Sequence, residues 1–418
     1  MTRNATDTDG FSGKRDRTYH QLDPYSGSIA LAKLSAAMGR GKPLRMACLD
    51  VDSTLTGDRA MSDGARALLE EEEYVVAFVT SRTEEMLMTR ASFQASRRTR
   101  QFLRPQPHLG GSDGHRRYVS PEKHEPIGLL DGDIIAGSTG TQIMIRQKGG
   151  GYLPDRSYEL GSALSSGSWR EAALQLLAML TAEGYTAEPA EIESEDNYQA
   201  GVSDVFPPEY RVQLNFQTVE EKSRFIAGLR RTRFKARESQ DGWAEALRNI
   251  RVTDDSNPEP GRYKVFLTPR RLSKARAVEH IVCQLCRQLD IERGRLSLLF
   301  AGDSFPDLAM GLLGGIGTDS AFLLVGGSRL AAALTREDRA DFAGEGICAV
   351  RRRLIPEGKP GNYRFRPPFS EGGTRRLIVG DEAFPGTQAA ESVYRYLHAT
   401  HCADEHHEAP LPSSPILR

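Results

Sequence analysis

The sequence has almost no net charge, no long apolar run and few cysteines. Each shortage removes a class of function. A net charge of −1 and a pI near 6.8 leave no whole-molecule field to gather nucleic acid or an anionic membrane. The basic runs SRRTRQFLR and VRRRL read as solvated surface arginines. No stretch is apolar enough to span a bilayer, and the N-terminal MTRNATDTDGFSGKRDRTYHQ holds no apolar core of a secretory signal. Cys48, Cys283, Cys286, Cys348 and Cys402 are odd in number and scattered, which fits a reducing compartment rather than a disulfide framework. Cys283 and Cys286 form a CxxC, but inside a helical pattern and without the second pair that a zinc site needs. There is no internal repeat. The expectation is a cytoplasmic protein with no nucleic-acid and no membrane partner; its oligomeric state is left open.

What is present is a rhythm of apolar strands and helices. LRMACLDV, YVVAFVT, RLSLLFAGDS, AFLLVGG and RRLIVGD are continuous apolar runs, which suit strands of a parallel sheet buried on both faces. Helical patterns separate them: SIALAKLSAAM, SDGARALLEEEE with Ser62 as its cap, EEMLMTRASFQASRRTRQFL, SKARAVEHIVCQLCRQLD and GTQAAESVYRYLHA. GDIIAGSTGTQIMIR reads as two short strands about a turn. Between them the texture changes: the helical SWREAALQLLAMLTAEG, the alternating EYRVQLNFQ, the helical TVEEKSRFIAGLRRT and the strand RYKVFLTP suggest a small α+β unit. The predicted fold class is a doubly wound, Rossmann-like α/β core with a mainly parallel sheet and an inserted α+β domain. The boundaries are a partly disordered extension over 1–43, a discontinuous core over 44–155 and 265–400, the insertion over 156–264, and a flexible tail over 401–418. That tail contains His401, Cys402, His406 and His407, with nothing nearby to fix ligand geometry.

The chemistry lies at strand ends. In RMACLDVDSTLTGD, Asp50 and Asp52 stand two apart and project together beyond the first strand. That edge is where open α/β sheets bind ligands. Adjacent carboxylates repel unless a cation or a shared proton intervenes, and a hard ion such as Mg²⁺ takes oxygen ligands while keeping a phosphate as another. The strand of YVVAFVT ends at Thr80, a hydroxyl donor. LLFAGDSFPD ends in Asp303 and Asp307. Lys274 opens a helix, a place the macrodipole disfavours for a cation unless an anion is close. A metal, a lysine and a hydroxyl around one dianion form the clamp that phosphoryl transfer needs.

In CLDVDSTL, AFVTSR, SKARAV and FAGDSFPD, taken in this order, the chain resembles the haloacid dehalogenase (HAD)-like phosphatases. The resemblance runs from about residue 44 to 400. It implies roles one by one. Asp50 is the nucleophile that forms an aspartyl-phosphate. Asp52 protonates the leaving alcohol and then activates water. Thr80 and Lys274 hold the phosphoryl group. Asp303 binds Mg²⁺ with Asp50 and the backbone carbonyl of Asp52, and Asp307 supports the metal or Lys274. Ser81 and Arg82 follow Thr80, where family members often carry Gly-Arg. The loop Ser138, Thr139 and Gly140 lies near the phosphate, or is a plain glycine turn.

About 28 residues separate Asp52 from Thr80, and nearly 200 separate Thr80 from Lys274. In this family that spacing marks a C2-type cap and a small soluble phosphate substrate. GDIIAGSTGTQI…GGGYLPDRSYE and VFLTPRRLSKARAVEHI resemble sucrose-phosphate phosphatases and related sugar-phosphate phosphatases. There are departures: GTQI for GTEI, Lys274-Ala275 for Lys-Gly, and Phe305-Pro306 where the family has Gly-Asn. The strand YRVQLNF lacks the family's cap lysine in clear register, with Arg211 as the candidate substitute. Asp155 either reaches sugar hydroxyls or forms a linker turn. The reading is a Mg²⁺-dependent phosphomonoester hydrolase of a small, sugar-type phosphate. The alternatives are a phosphomutase of the same fold and a non-catalytic binding protein.

Overall fold

The computed structural model describes residues 23–52, 54–55, 59–80, 133–137, 139–148, 152–155, 157–158, 212–216, 218–236, 250–254, 263–270, 272–313, 319–325, 329–335, 349–366, 375–387 and 389–407, with positions 178 and 182. The helix expected over EEMLMTRASFQASRRTRQFL lies outside the described residues, as do Ser81, Arg82, Ser138 and Arg211. The SWREAALQLLAMLTAEG segment lies almost wholly outside them.

The strands are β1 (Leu44–Leu49), β2 (Val75–Val79), β3 (Ile134–Gly137), β4 (Gln142–Arg146), β5 (Tyr152–Pro154), β6 (Val212–Phe216), β7 (Ile250–Asp254), β8 (Tyr263–Pro269), β9 (Leu296–Gly302), β10 (Ser320–Leu324), β11 (Leu354–Pro356), β12 (Asn362–Phe365) and β13 (Arg375–Val379). The helices are α1 (Ile29–Gly39), α2 (Arg59–Glu71), α3 (Val219–Ala236), α4 (Lys274–Leu289), α5 (Phe305–Leu308), α6 (Arg329–Thr335), α7 (Gly380–Ala383) and α8 (Ala390–His407).

Ten strands form one sheet in the order β11-β12-β13-β10-β9-β1-β2-β3-β4-β5. The run β13-β10-β9-β1-β2-β3 is parallel, and antiparallel strands extend it at both edges. This is the mainly parallel α/β core that the continuous apolar runs lead one to expect. Every residue of β2 is buried. Successive residues feed opposite layers: Met46 and Cys48 join α1 and α4 on one face, while Ala47 and Leu49 join α2 and α8 on the other. Phe78, Phe300 and Phe322 are fully buried between them, and each such side chain contributes about 1.5–3 kcal/mol of transfer free energy.

A second sheet, β6-β8-β7, is antiparallel and separate. Leu214, Phe216, Val265 and Leu267 are buried with Phe225 and Leu229 of α3, and the Phe216 and Phe225 rings lie 5.2 Å apart. No helix among the described residues is long and apolar enough to cross a membrane.

Several local expectations are corrected. Helix α2 begins at Arg59, so Ser62 lies within its first turn instead of capping it. Helix α1, placed in the N-terminal extension, buries Ala30, Leu34 and Ala37 against the core. Helix α8 continues to His407, where a loose tail was expected from His401, and His401 pairs with Glu72 beyond α2. Strands β5, β7, β11 and β12 were not anticipated. They are three to five residues long, with β5, β7 and β11 at sheet edges, and runs this short carry little of the alternation that marks a strand.

Candidate active site

From β1 the chain winds to β2 and β3 on one side, and later to β9, β10 and β13 on the other. The sheet's switch point therefore lies between β1 and β9, where crossovers diverge and leave a crevice at the carboxyl ends. Asp50 follows β1 and Asp303 follows β9. The Asp50 backbone N–H donates to Ala301 O at 2.9 Å, which locks the two strand ends together. Next along the sheet edge comes Thr80 after β2, fully buried, with its N–H on Ala136 O at 3.1 Å.

Lys274 completes the group. Ser273 caps α4, its hydroxyl accepting from Arg276 N–H at 3.2 Å, and so the next side chain sits in the helix's first turn. Lys274 Nζ donates to Asp50 Oδ1 at 2.9 Å and to Asp307 Oδ1 at 2.6 Å. All three side chains are at most 6% exposed. Carboxylate oxygens of Asp50, Asp303 and Asp307 lie within 4.8 Å of one another. Two like charges about 4 Å apart repel by about 4 kcal/mol at a protein-like dielectric. Burial pushes the Asp50 carboxyl well above its ordinary range, Asp307 adds to this, and Lys274 opposes it. Three carboxylates against one ammonium leave two negative charges when all ionise. A hard divalent ion balances that sum with oxygen ligands alone, so the donor set fits Mg²⁺. Asp52, half-buried, is not among these carboxylates; the expected contribution from that position is a backbone carbonyl.

Two glycines permit the close approaches. A Cβ on Gly302 would stand 2.3 Å from Asp307 Cβ, so only glycine lets α5 fold back over the end of β9. Asp307 Oδ2 in turn accepts from Ser304 N–H at 3.1 Å, which spends that oxygen on the helix start. Pro306 is accommodated in the first turn of α5, where no intrahelical N–H bond is lost. The second glycine is Gly140, at φ 76°. A Cβ there would lie 2.5 Å from Lys274 N, so the β3–β4 turn rests directly on the start of α4. Beside it, Thr139 is held at φ 65°, its N–H on Thr80 O at 2.9 Å. Its hydroxyl is buried and has no hydrogen-bond partner among the described residues; the Thr54 hydroxyl is in the same state.

Asp50, Asp303, Asp307 and Lys274 thus come together, with Thr80, Thr139 and Gly140 arranged alongside. Asp155 is not among the clustered carboxylates. It is fully buried and pairs with His280 Nε2 at 2.7 Å. His280 and Tyr158 were passed over in the sequence. The available cue is a histidine beside Val278, Ile281 and Val282 on an amphipathic helix.

No protein-family model and no curated protein matches the chain. Solved structures do. A Synechocystis sucrose-phosphatase, in complex with sucrose and phosphate, is 13% identical, covers 86% of this chain and 98% of its own, and has a TM-score of 0.42. A haloacid dehalogenase-like hydrolase from Bacillus subtilis is 14% identical, covers 70% and 88%, and has a TM-score of 0.36. An IMP-nucleotidase from Plasmodium falciparum is 13% identical, covers 66% and 63%, and also has a TM-score of 0.36. At these values the chain's function rests on the geometry of its own site.

Proposed function

We propose that the chain is a Mg²⁺-dependent phosphomonoester hydrolase of the haloacid dehalogenase-like type, acting through an aspartyl-phosphate on Asp50. One observation carries this reading: Lys274 Nζ bridges Asp50 and Asp307 at 2.9 and 2.6 Å, beside the three-carboxylate cluster at the sheet's switch point. Asp50 Oδ attacks phosphorus while Asp52 gives its proton to the departing alcohol oxygen. Asp52 then takes a proton from water, whose oxygen attacks the phosphorus and frees Asp50 and inorganic phosphate. Lys274, Thr80 and the Thr139 hydroxyl hold phosphoryl oxygens, and a buried donor left unsatisfied, as Thr139's is among the described residues, costs about 1–3 kcal/mol until a ligand meets it. Asp50, Asp303 and the Asp52 carbonyl would hold Mg²⁺, with Asp307 in support. The ion, when bound, neutralises charge on the transferring group.

The substrate we infer is a small soluble phosphate of the sugar type, with the separate β6-β8-β7 unit serving as the cap over the site. Phosphate release from p-nitrophenyl phosphate tests the chemistry. Release is expected with Mg²⁺, to stop with chelator, and to vanish in Asp50→Asn. Hydrolysis surviving that substitution overturns the mechanism. A panel of sugar phosphates, scored by released phosphate, tests the substrate class.

A further inference from the structure

The inserted segment leaves the main unit after β5, at Pro154, and returns through β8, which ends at Pro269. Both linkers meet at the start of α4. On the incoming side, Asp155 N–H donates to Ile143 O at 2.8 Å. Its Oδ1 accepts from Ser157 Oγ at 2.6 Å and from Tyr158 N–H at 3.1 Å. Its Oδ2 meets His280 Nε2, on the second turn of α4, at 2.7 Å. The Tyr158 ring packs against the His280 ring with centroids 5.0 Å apart. The Tyr158 hydroxyl donates to Gly140 O at 2.7 Å and faces the backbone N–H of Ser273. Gly140 lies against Lys274 N with no space for a Cβ. On the outgoing side, Leu272 N–H donates to Pro269 O at 2.9 Å, and Ser273 leads into α4.

Stability alone does not call for this arrangement. A buried ion pair is often no better than apolar residues of the same volume, whereas it does fix a geometry. Geometry is what Lys274 requires, because its ammonium spans two carboxylates at once. A displacement of about 1 Å in such a group costs about 100-fold in rate.

We propose that Asp155, His280 and Tyr158 form a positioning clasp that fastens both linkers of the inserted segment to the helix start carrying Lys274. The clasp rests on the reading of Lys274 as the group that holds the phosphoryl oxygens. Through it, the inserted segment and Lys274 stay in register with one another.

Two readouts test it, one of them independent of activity. The first is the rate at which an amine-reactive reagent labels Lys274, followed by mass spectrometry, with exposed Lys42 as the internal control. In the wild type the ammonium is shielded. Tyr158→Phe and His280→Leu are expected to raise Lys274 labelling several-fold while Lys42 stays constant. His280→Gln, which keeps a donor towards Asp155, is expected to stay near wild type. Unchanged Lys274 labelling in both Tyr158→Phe and His280→Leu overturns the clasp. So does a parallel rise at every lysine, which reports general loosening. The second readout is turnover of p-nitrophenyl phosphate: kcat is expected to fall about tenfold in both variants with KM held within about twofold. A wild type that releases no phosphate but shows the labelling response defeats the phosphatase reading and leaves the clasp. A wild type that hydrolyses, with variants unchanged in labelling and kcat, defeats the clasp alone.

Discussion

Lys274 Nζ lies 2.6 Å from Asp307 Oδ1, nearer than the 2.9 Å that separates it from Asp50. Asp307 therefore orients the lysine, and the lysine in turn tempers the charge on Asp50. Removing the cation by Lys274→Met leaves buried carboxylates uncompensated, a loss of about 3–5 kcal/mol. The variant is expected to lose phosphate release entirely and to gain Tm on acidification, as its carboxylates protonate. Thermal melts across pH and an activity assay check both.

Gly302→Ala isolates the fold-back of α5. The new methyl would meet Asp307 Cβ at 2.3 Å, and overpacking of this kind costs about 1–3 kcal/mol. The strain is relieved most simply by moving Asp307, so activity is expected to fall by more than the stability loss explains. Comparing kcat with Tm measured on the same preparation decides this.

The core was legible because its strands are continuous apolar runs, which composition alone distinguishes from loops. The site was legible for the same reason: Asp50, Thr80 and Asp303 each stand where such a run stops, and Lys274 stands where a helix starts. What could not be read were contacts between distant segments. His280 looks like one more residue of an amphipathic helix until Asp155 is brought to it across 125 positions. For Asp307 the resemblance leaves open support of the metal or of Lys274, and the fold shows Lys274 against one of its oxygens and Ser304 on the other. Edge strands such as β7 depend on their neighbours' hydrogen bonds more than on their own pattern.

Thr139 is a residue on which stability and function are expected to oppose each other. A β-branched side chain at φ 65° is strained by about 1–2 kcal/mol, and its hydroxyl gains no hydrogen bond among the described residues. Thr139→Gly removes both burdens, offset by the larger conformational entropy of glycine in the unfolded chain. Tm is expected to hold or rise, while kcat/KM falls about tenfold for loss of a donor to the phosphoryl group. A fall in Tm with kcat/KM intact would reverse the assignment.

Metal binding is readable without catalysis. An ion that binds only the folded state stabilises it by about 2.7 kcal/mol at 100 times its Kd. Mg²⁺ is expected to raise Tm in the wild type, and Asp303→Asn to abolish most of that rise, since it removes one of three clustered carboxylates. A calorimetric titration of each protein with Mg²⁺ gives the same comparison at fixed temperature.

The Asp155–His280 pair makes an acid-side prediction whose sign is fixed. Burial acts to raise the Asp155 carboxyl, but hydrogen bonds from His280 and Ser157, the His280 charge and the Tyr158 N–H outweigh it, so the carboxyl sits below its ordinary value. A carboxyl depressed by folding adds stability above its unfolded pKa of about 3.9, and that stability is lost as pH falls through the folded value. In His280→Leu the strongest opposing partner is gone while the burial remains. The gap in unfolding free energy between wild type and His280→Leu is therefore expected to widen as pH rises from about 3 to about 5. Urea unfolding at several pH values within that window measures it. A gap that stays constant, or narrows with rising pH, would show that the depressed carboxyl is not what the pair stabilises.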